Sequence, residues 1–154
     1  MSEKYKIIDD KMITCGIVII NSEGDILACH PNGNKKDQDY DIPKGCANEG
    51  ETDLQAAIRE LREETDIYFL DYDHSRIIDC GIYPHNKSKN IHLFLYKTTW
   101  FPELSQLKCS SLCKKWGNYM VPEVNGYAII KKNERHKFMN VLQNKFEIID
   151  KFNK

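Results

Sequence analysis

From Cys15 to Ile20 the chain is apolar without a break, within a β-branched stretch running from Thr14 to Asn21. Such a run predicts a strand covered on both faces. Ser22 to Asp25 reads as a turn, and Ile26 to His30 as the strand returning from it. Pro31 to Asp39 is polar, with Asn32-Gly33 inside it, and predicts a loop. The period then changes. Leu54, Ala57, Ile58 and Leu61 fall at i, i+3, i+4 and i+7, which predicts a helix over Glu51 to Thr65. Thr52 and Gln55 supply the capping box at its start. Two further strands are predicted, Ser75 to Tyr83 and Ile91 to Thr99, joined by a polar loop from Pro84 to Asn90. In the second, Ile91, Leu93 and Leu95 alternate with His92, Phe94 and Tyr96; Phe94 on the outer side implies that both faces are covered. Trp100 to Val124 shows no period and reads as irregular chain, followed by a short strand at Tyr127 to Ile130. Phe138, Leu142, Phe146 and Ile149 predict a second helix over Asn133 to Phe152. Strands mixed with two helices predict one α/β or α+β domain over residues 1–154.

Composition narrows the function. With 41% hydrophobic and 29% charged residues the chain is too apolar for disorder. Its net charge of −1, from 22 basic and 23 acidic residues, excludes holding nucleic acid by bulk electrostatics. A polyanionic partner would need local lysines or a metal ion. No apolar run is long enough to span a bilayer, and the N-terminus lacks an apolar signal segment, so a cytoplasmic location away from membranes is expected. Cysteines 15, 29, 46, 80, 109 and 113 read as reduced thiols; Cys109 and Cys113 are close, but no second Cys or His pair completes a zinc site.

The first helix carries the chemistry. Glu60, Glu63 and Glu64 also follow the i, i+3, i+4 rule, so they share a face, roughly 115° around from the apolar stripe. Like charges at this spacing cost about 0.2–0.5 kcal/mol per pair. Arg59 and Arg62 can pair with some of the acids, but a hard divalent cation such as Mg²⁺ suits three carboxylates better. Read alone, the same pattern also fits a solvated acidic face, or a structural surface that pairs with a basic partner.

The flanking residues decide between them. Gly45, Glu51, Arg59, Glu60, Leu61, Glu63, Glu64 and Ile67 match every spacing of G-x5-E-x7-R-E-U-x-E-E-x-G-U, where U is aliphatic; only the second glycine differs, being Asp66. These 23 residues resemble the box of the Nudix (MutT-type) hydrolase family, and the surrounding strand order resembles its fold, an α/β/α sandwich around a mixed sheet. The resemblance implies hydrolysis of a nucleoside diphosphate linked to another group, with Mg²⁺ (or Mn²⁺) as cofactor. It implies metal binding by Glu60, Glu63, Glu64 and the Gly45 carbonyl, with Glu63 and Glu64 catalytic, and a bracing ion pair between Glu51 and Arg59. Asp66 takes the place of a glycine that serves a left-handed helix end. Asp enters that conformation more readily than most residues, at a cost of about 1 kcal/mol.

Outside the box, Glu123 is the expected general base and Glu103 its alternative. Lys44 precedes the box in a Pro-Lys-Gly form resembling that of relatives acting on dinucleoside polyphosphates, diphosphoinositol phosphates or RNA 5′ ends. Lys87 and Lys89 are expected on the same phosphate chain, and Tyr40, Tyr83, Trp116 or Tyr119 as the base-stacking aromatic. Seven basic against three acidic residues over 131–154 favour RNA weakly. The expected partner is a small-molecule nucleotide: a dinucleoside polyphosphate first, then ADP-ribose or another nucleotide sugar, then an RNA 5′ end. The alternative is a catalytically weak nucleotide-binding module. A homodimer is compatible with the family.

Overall fold

The computed structural model describes residues 4–115 and 119–154. Its spine is β2 (Lys11–Ile20), buried from Ile13 to Ile20. β2 is preceded by β1 (Ile7–Ile8) and followed by β3 (Ile26–Pro31) and β4 (Lys44–Cys46). Then come α1 (Asp53–Thr65), α2 (Asp71–His74), β5 (Ile78–Pro84) and β6 (Lys89–Lys97). β7 (Leu112–Lys115), β8 (Tyr119–Pro122) and β9 (Val124–Ile130) precede α3 (Asn140–Gln143) and α4 (Phe146–Phe152).

The main sheet runs β5-β6-β2-β3-β9, with β1 and β4 also paired to β2. β2 and β6 are parallel over nine residue pairs, and the other pairings are antiparallel, so the sheet is mixed. β2 shares its second edge: Ile20 pairs with Ile26 of β3, whereas Thr14, Cys15 and Gly16 pair with Cys46, Gly45 and Lys44 of β4. That parting of strands holds Gly45 on the spine of the sheet, beside α1.

Each sheet face covers a core. On one, Ile13, Cys15, Ile17 and Ile19 pack with Ala56, Ala57 and Leu61 of α1. On the other, Val18, Ile20, Ile91, Leu93 and Leu95 pack with Phe138, Leu142, Phe146 and Ile149. Buried apolar area drives both layers. Alternate residues of β2 and β6 point to opposite cores, so both strands are largely apolar on both faces.

Three sequence expectations change. The predicted helix over Asn133 to Phe152 is broken into a 3₁₀ turn (Lys132–Lys137), α3 and α4. Its four apolar residues are buried as the spacing required. However, the backbone at Phe138 is extended, because Tyr40 N–H donates to Lys137 O and Met139 N–H to Tyr40 O, both at 2.9 Å. The stretch Trp100 to Val124 is less irregular than expected: it holds a 3₁₀ turn (Leu104–Gln106) and the β7–β8 hairpin. The short strand at Tyr127 starts earlier, at Val124. No helix among the described residues is long and apolar enough to cross a membrane.

Candidate active site

α1 begins as its sequence demands. The Thr52 hydroxyl accepts from the Gln55 N–H (3.1 Å), and the Gln55 side chain accepts from the Thr52 N–H (2.9 Å). It ends at Asp66, which is left-handed (φ 66°, ψ 19°) and donates its N–H to Arg62 O (2.8 Å). Asp66 therefore does what the glycine of the motif would do. Near this end the Tyr127 hydroxyl of β9 donates to the Glu64 carbonyl, fixing the helix to the far side of the sheet.

The face bearing the three glutamates looks onto β4. Glu60 is 9% exposed and Glu64 6%. Gly45 makes room for them: a Cβ there would lie within 3.0 Å of the Glu60 carboxyl carbon and both its oxygens. Glu64 accepts from the Lys44 N–H (3.4 Å). Burial, with Glu63 and Glu123 nearby and Arg59 opposing, pushes the Glu60 carboxyl up to about 7. Burial first, then Glu60 and Asp41, pushes Glu64 well above the carboxylate range. These acids have more negative charge than the protein offsets.

Arg59 is the main protein counter-charge. Its guanidinium holds Glu51 through two bonds (2.8 and 3.0 Å), reaches Cys46 O (3.1 Å), and contacts Glu60 (2.8 Å) and Glu63 (3.3 Å). Its pKa is raised, first by the Glu51 bond. The loop and helix are therefore tied by a two-pronged ion pair.

One polar cavity of about 280 Å³ gathers Lys44, Gly45, Arg59, Glu60, Glu63, Lys89 and Glu123. It also takes in Tyr5, Cys46 and Asn48, which nothing in the sequence marked. Asp41 was missed too: it is nearly buried and holds the Lys44 ammonium at 3.0 Å. Burial works against that ammonium, but Asp41 outweighs it and the Lys44 pKa rises. Glu123 is exposed, and its N–H is held by Ser111 O (3.0 Å).

The remaining expectations fall elsewhere. Tyr40 is 8% exposed, in the core beside His30 (ring centroids 5.1 Å apart), and lines a second cavity with His30, Asn34 and Asn125. The backbone bonds that break the last helix are what draw it there. Lys87 is exposed in the β5–β6 turn and does not line the acidic cavity; nor does Glu103, which precedes the 3₁₀ turn. The Tyr83 hydroxyl is occupied by Cys80 O. Tyr119 is 77% exposed on β8, and Trp116 lies outside the described residues.

The donor set fits a hard divalent cation: three carboxylates, a backbone carbonyl, a cradle that any Cβ would fill, and buried acids short of positive charge. No group of three His, Cys, Asp or Glu side chains among the described residues already converges at ligating distance. Arg59 lies among the acids instead.

The domain model of the Nudix family matches residues 10–123. No curated protein sequence matches the chain. A MutT protein from Methanosarcina mazei Go1 superposes with a TM-score of 0.63 at 17% identity, covering 96% of this chain and 99% of its own. An Ap4A hydrolase from C. elegans gives 0.61 at 18% identity, with coverages of 92% and 96%. The NUDIX domain of Shewanella oneidensis NrtR, complexed with ADP ribose, gives 0.67 at 9% identity, with coverages of 96% and 91%. Other relatives are longer: the chain spans 47% of a MutT/nudix family protein from Enterococcus faecalis and 41% of a bifunctional NMN adenylyltransferase/ADP ribose pyrophosphatase from Francisella tularensis. At these identities the structural likeness is one of fold. The match over residues 10–123 is one of sequence, and by it the chain belongs to the Nudix family.

Proposed function

We propose that this Nudix domain is a divalent-cation-dependent hydrolase of the pyrophosphate linkage in a nucleoside diphosphate joined to another group. A dinucleoside polyphosphate is the leading substrate, followed by ADP-ribose or another nucleotide sugar. The observation that carries the reading is the single cavity in which Glu60, Glu63 and Gly45 face Lys44, Lys89 and Glu123. Carboxylates suited to a cation, ammonium groups suited to phosphate and the exposed Glu123 carboxylate line one cavity, which supports this reading.

Glu60, Glu63, Glu64 and the Gly45 carbonyl would hold Mg²⁺ or Mn²⁺. When bound, the ion supplies charge neutralisation on the pyrophosphate and a more acidic water. The protein's own groups do the rest. Lys44, kept charged by Asp41, and Lys89 orient the phosphate chain as point charges. Glu123 lies outside the ligand set, so its carboxylate is free to take the proton from the attacking water. The new P–O bond forms as the bridging P–O bond breaks, and the leaving phosphate keeps the electron pair. Arg59 and Glu51 brace the loop against the helix.

Solved relatives include an Ap4A hydrolase and a Nudix domain holding ADP ribose, which supports both leading substrates. The RNA reading loses ground. The basic C-terminal segment is not one solvated helix face: Arg135 is buried against Asp150, and Lys145 is also buried. The test is a panel of Ap4A, ADP-ribose and 5′-triphosphorylated RNA with and without Mg²⁺ or Mn²⁺, comparing wild type with Glu64→Gln. Metal-dependent cleavage lost in the variant is expected. No cleavage of any substrate, or a fully active variant, overturns the proposal.

A further inference from the structure

The acidic cavity has groups for phosphate, but a nucleotide also has a base to place. Tyr40, Tyr83 and Tyr119 do not line the cavity. Among the described residues one aromatic does, Tyr5. Local backbone pairing puts it there. Lys6 N–H donates to Ala47 O and Glu49 N–H to Lys4 O, both at 2.9 Å, so that Tyr5 pairs antiparallel with Asn48, between β4 and α1. Successive side chains of a paired segment point to opposite sides. Lys6 goes to one side, where its ammonium binds Asp53 at the start of α1 (2.7 Å) and lines a separate cavity with His92 and Asp79. Tyr5 goes to the other side, into the cavity that holds Glu60, Glu63, Lys44 and Lys89.

Two features mark this wall of the cavity. The arm carrying Tyr5 is held by backbone bonds on both sides and by the Lys6 ion pair, yet Tyr5 itself is 48% exposed. A ring that is fixed in place and half open offers a surface to a flat guest at little cost in ordering. Asn48, its partner across the pairing, shares its face and lines the same cavity. The Asn48 Oδ1 is buried and has no hydrogen-bond partner. Buried polar atoms without a partner are rare, and an orphaned acceptor wants a donor. A nucleobase supplies both complements, a π-face for the ring and N–H groups along its edge. The other aromatic cavities suit it less. Tyr40 and His30 line one, but both are buried and packed on each other. Trp100 and Tyr96 line another, which shares no residue with the acidic cavity.

We propose that Tyr5 is the platform on which the substrate's nucleobase stacks, with Asn48 beside it to meet the edge of the base. Tyr5 is then a specificity-determining residue that acts on binding and leaves the chemical step alone. This rests on the reading that the phosphates lie at the glutamates and Lys44. Every base has a π-face, so stacking on Tyr5 separates nucleotides from sugar phosphates and does not choose among bases.

The experiment compares AMP with ribose 5-phosphate, which lacks the base, by calorimetry with Mg²⁺ present. Wild type should bind AMP about tenfold more tightly. Tyr5→Leu should weaken AMP by about tenfold and ribose 5-phosphate by less than about twofold, while Tyr5→Phe keeps most of the AMP affinity. Equal binding of the two ligands by wild type, equal losses on both in Tyr5→Leu, or a Tyr5→Phe protein as weak as Tyr5→Leu overturns the platform. Tyr5→Trp covers the case in which leucine loosens the arm: the added indole fluorescence should be quenched by AMP and not by ribose 5-phosphate, and quenching by neither overturns the proposal. In turnover of ADP-ribose, Tyr5→Leu should raise KM by about tenfold with kcat within about threefold of wild type; a loss confined to kcat overturns it. The binding comparison needs no turnover. If wild type cleaves no nucleotide, the hydrolase reading falls and AMP against ribose 5-phosphate still decides this one.

Discussion

Gly45→Ala is the sharpest test of how the Gly45 strand and the helix fit. The added methyl carbon lies within 3.0 Å of three atoms of the Glu60 carboxyl group, closer than real Cβ contacts allow. The backbone has little room to yield, since Gly45 pairs with Cys15 while its neighbours pair with Gly16 and Thr14. Glu60 must therefore turn away and give up the Arg59 bond at 2.8 Å. Overpacking costs about 1–3 kcal/mol, and a lost charge-assisted bond about 1.5–3 kcal/mol. Relaxation recovers part of this, so about 3 kcal/mol is expected, or a fall in Tm of about 6–12 °C for a domain of this size. Calorimetric melting with and without Mg²⁺ measures it. The variant should also lose most of the metal-induced rise in Tm, which for a ligand at a hundred times its Kd is about 2.7 kcal/mol. A partner variant isolates the cause. In a Glu60→Ala background the overlap is gone, so adding Gly45→Ala should cost less than about 1 kcal/mol, a coupling of about 2 kcal/mol. Full additivity, or a Gly45→Ala protein that melts within a degree of wild type and keeps its metal response, refutes the close fit.

Three further outcomes follow from particular contacts. Asp66→Gly should raise stability by about 0.5–1 kcal/mol in denaturant titration, because the helix end is left-handed and the ion pair to Lys108 is long (3.8 Å) and exposed; activity should not change. Arg135→Ala should cost about 3–5 kcal/mol on the same titration, since it strands Asp150 and the Gly24 carbonyl together and removes the cation over Phe146. The Arg59 bond holds the Glu51 carboxyl below its ordinary 4.5, so that stabilisation is complete above pH 4.5 and is lost as pH falls through the lowered value. Glu51→Gln should therefore melt below wild type at pH 7, with the gap closing as pH falls below 4.5 and through the lowered value; a gap that persists in strong acid would place the cost elsewhere.

The sequence disclosed what one element could encode. A helix writes its faces at fixed intervals, so the cap at Thr52, the buried Leu61 and the shared face of Glu60, Glu63 and Glu64 were all legible before any coordinate. Asp66 was legible for the same reason: its left-handed conformation is a local property of a helix end. The β7–β8 hairpin was not, because Leu112, Tyr119 and Met120 are exposed and an exposed strand has no buried face to write. β4 is three residues long, too short for any period. The last helix misled for a subtler reason. Burial of Phe138, Leu142, Phe146 and Ile149 constrains side chains, and a continuous helix and a bent chain satisfy it equally well. What separates them is the pair of backbone bonds to Tyr40, contributed by a segment far away in sequence.

The same logic sorts the lysines. Lys44, Lys87, Lys89 and Lys145 look alike in a string of letters, each a basic residue in a polar neighbourhood. Lys87 stays in the turn, in solvent, whereas Lys89, two residues on, opens β6 and turns into the cavity. Lys44 is set apart by Asp41, three residues earlier, whose carboxylate shares its charge. Lys145 is set apart by the opposite condition, burial with no carboxylate beside it among the described residues. No propensity or motif encodes a missing partner, so it emerges only when the chain is closed. A charge that folding leaves buried and unanswered costs stability, and the packing of the core around it has to offset that cost.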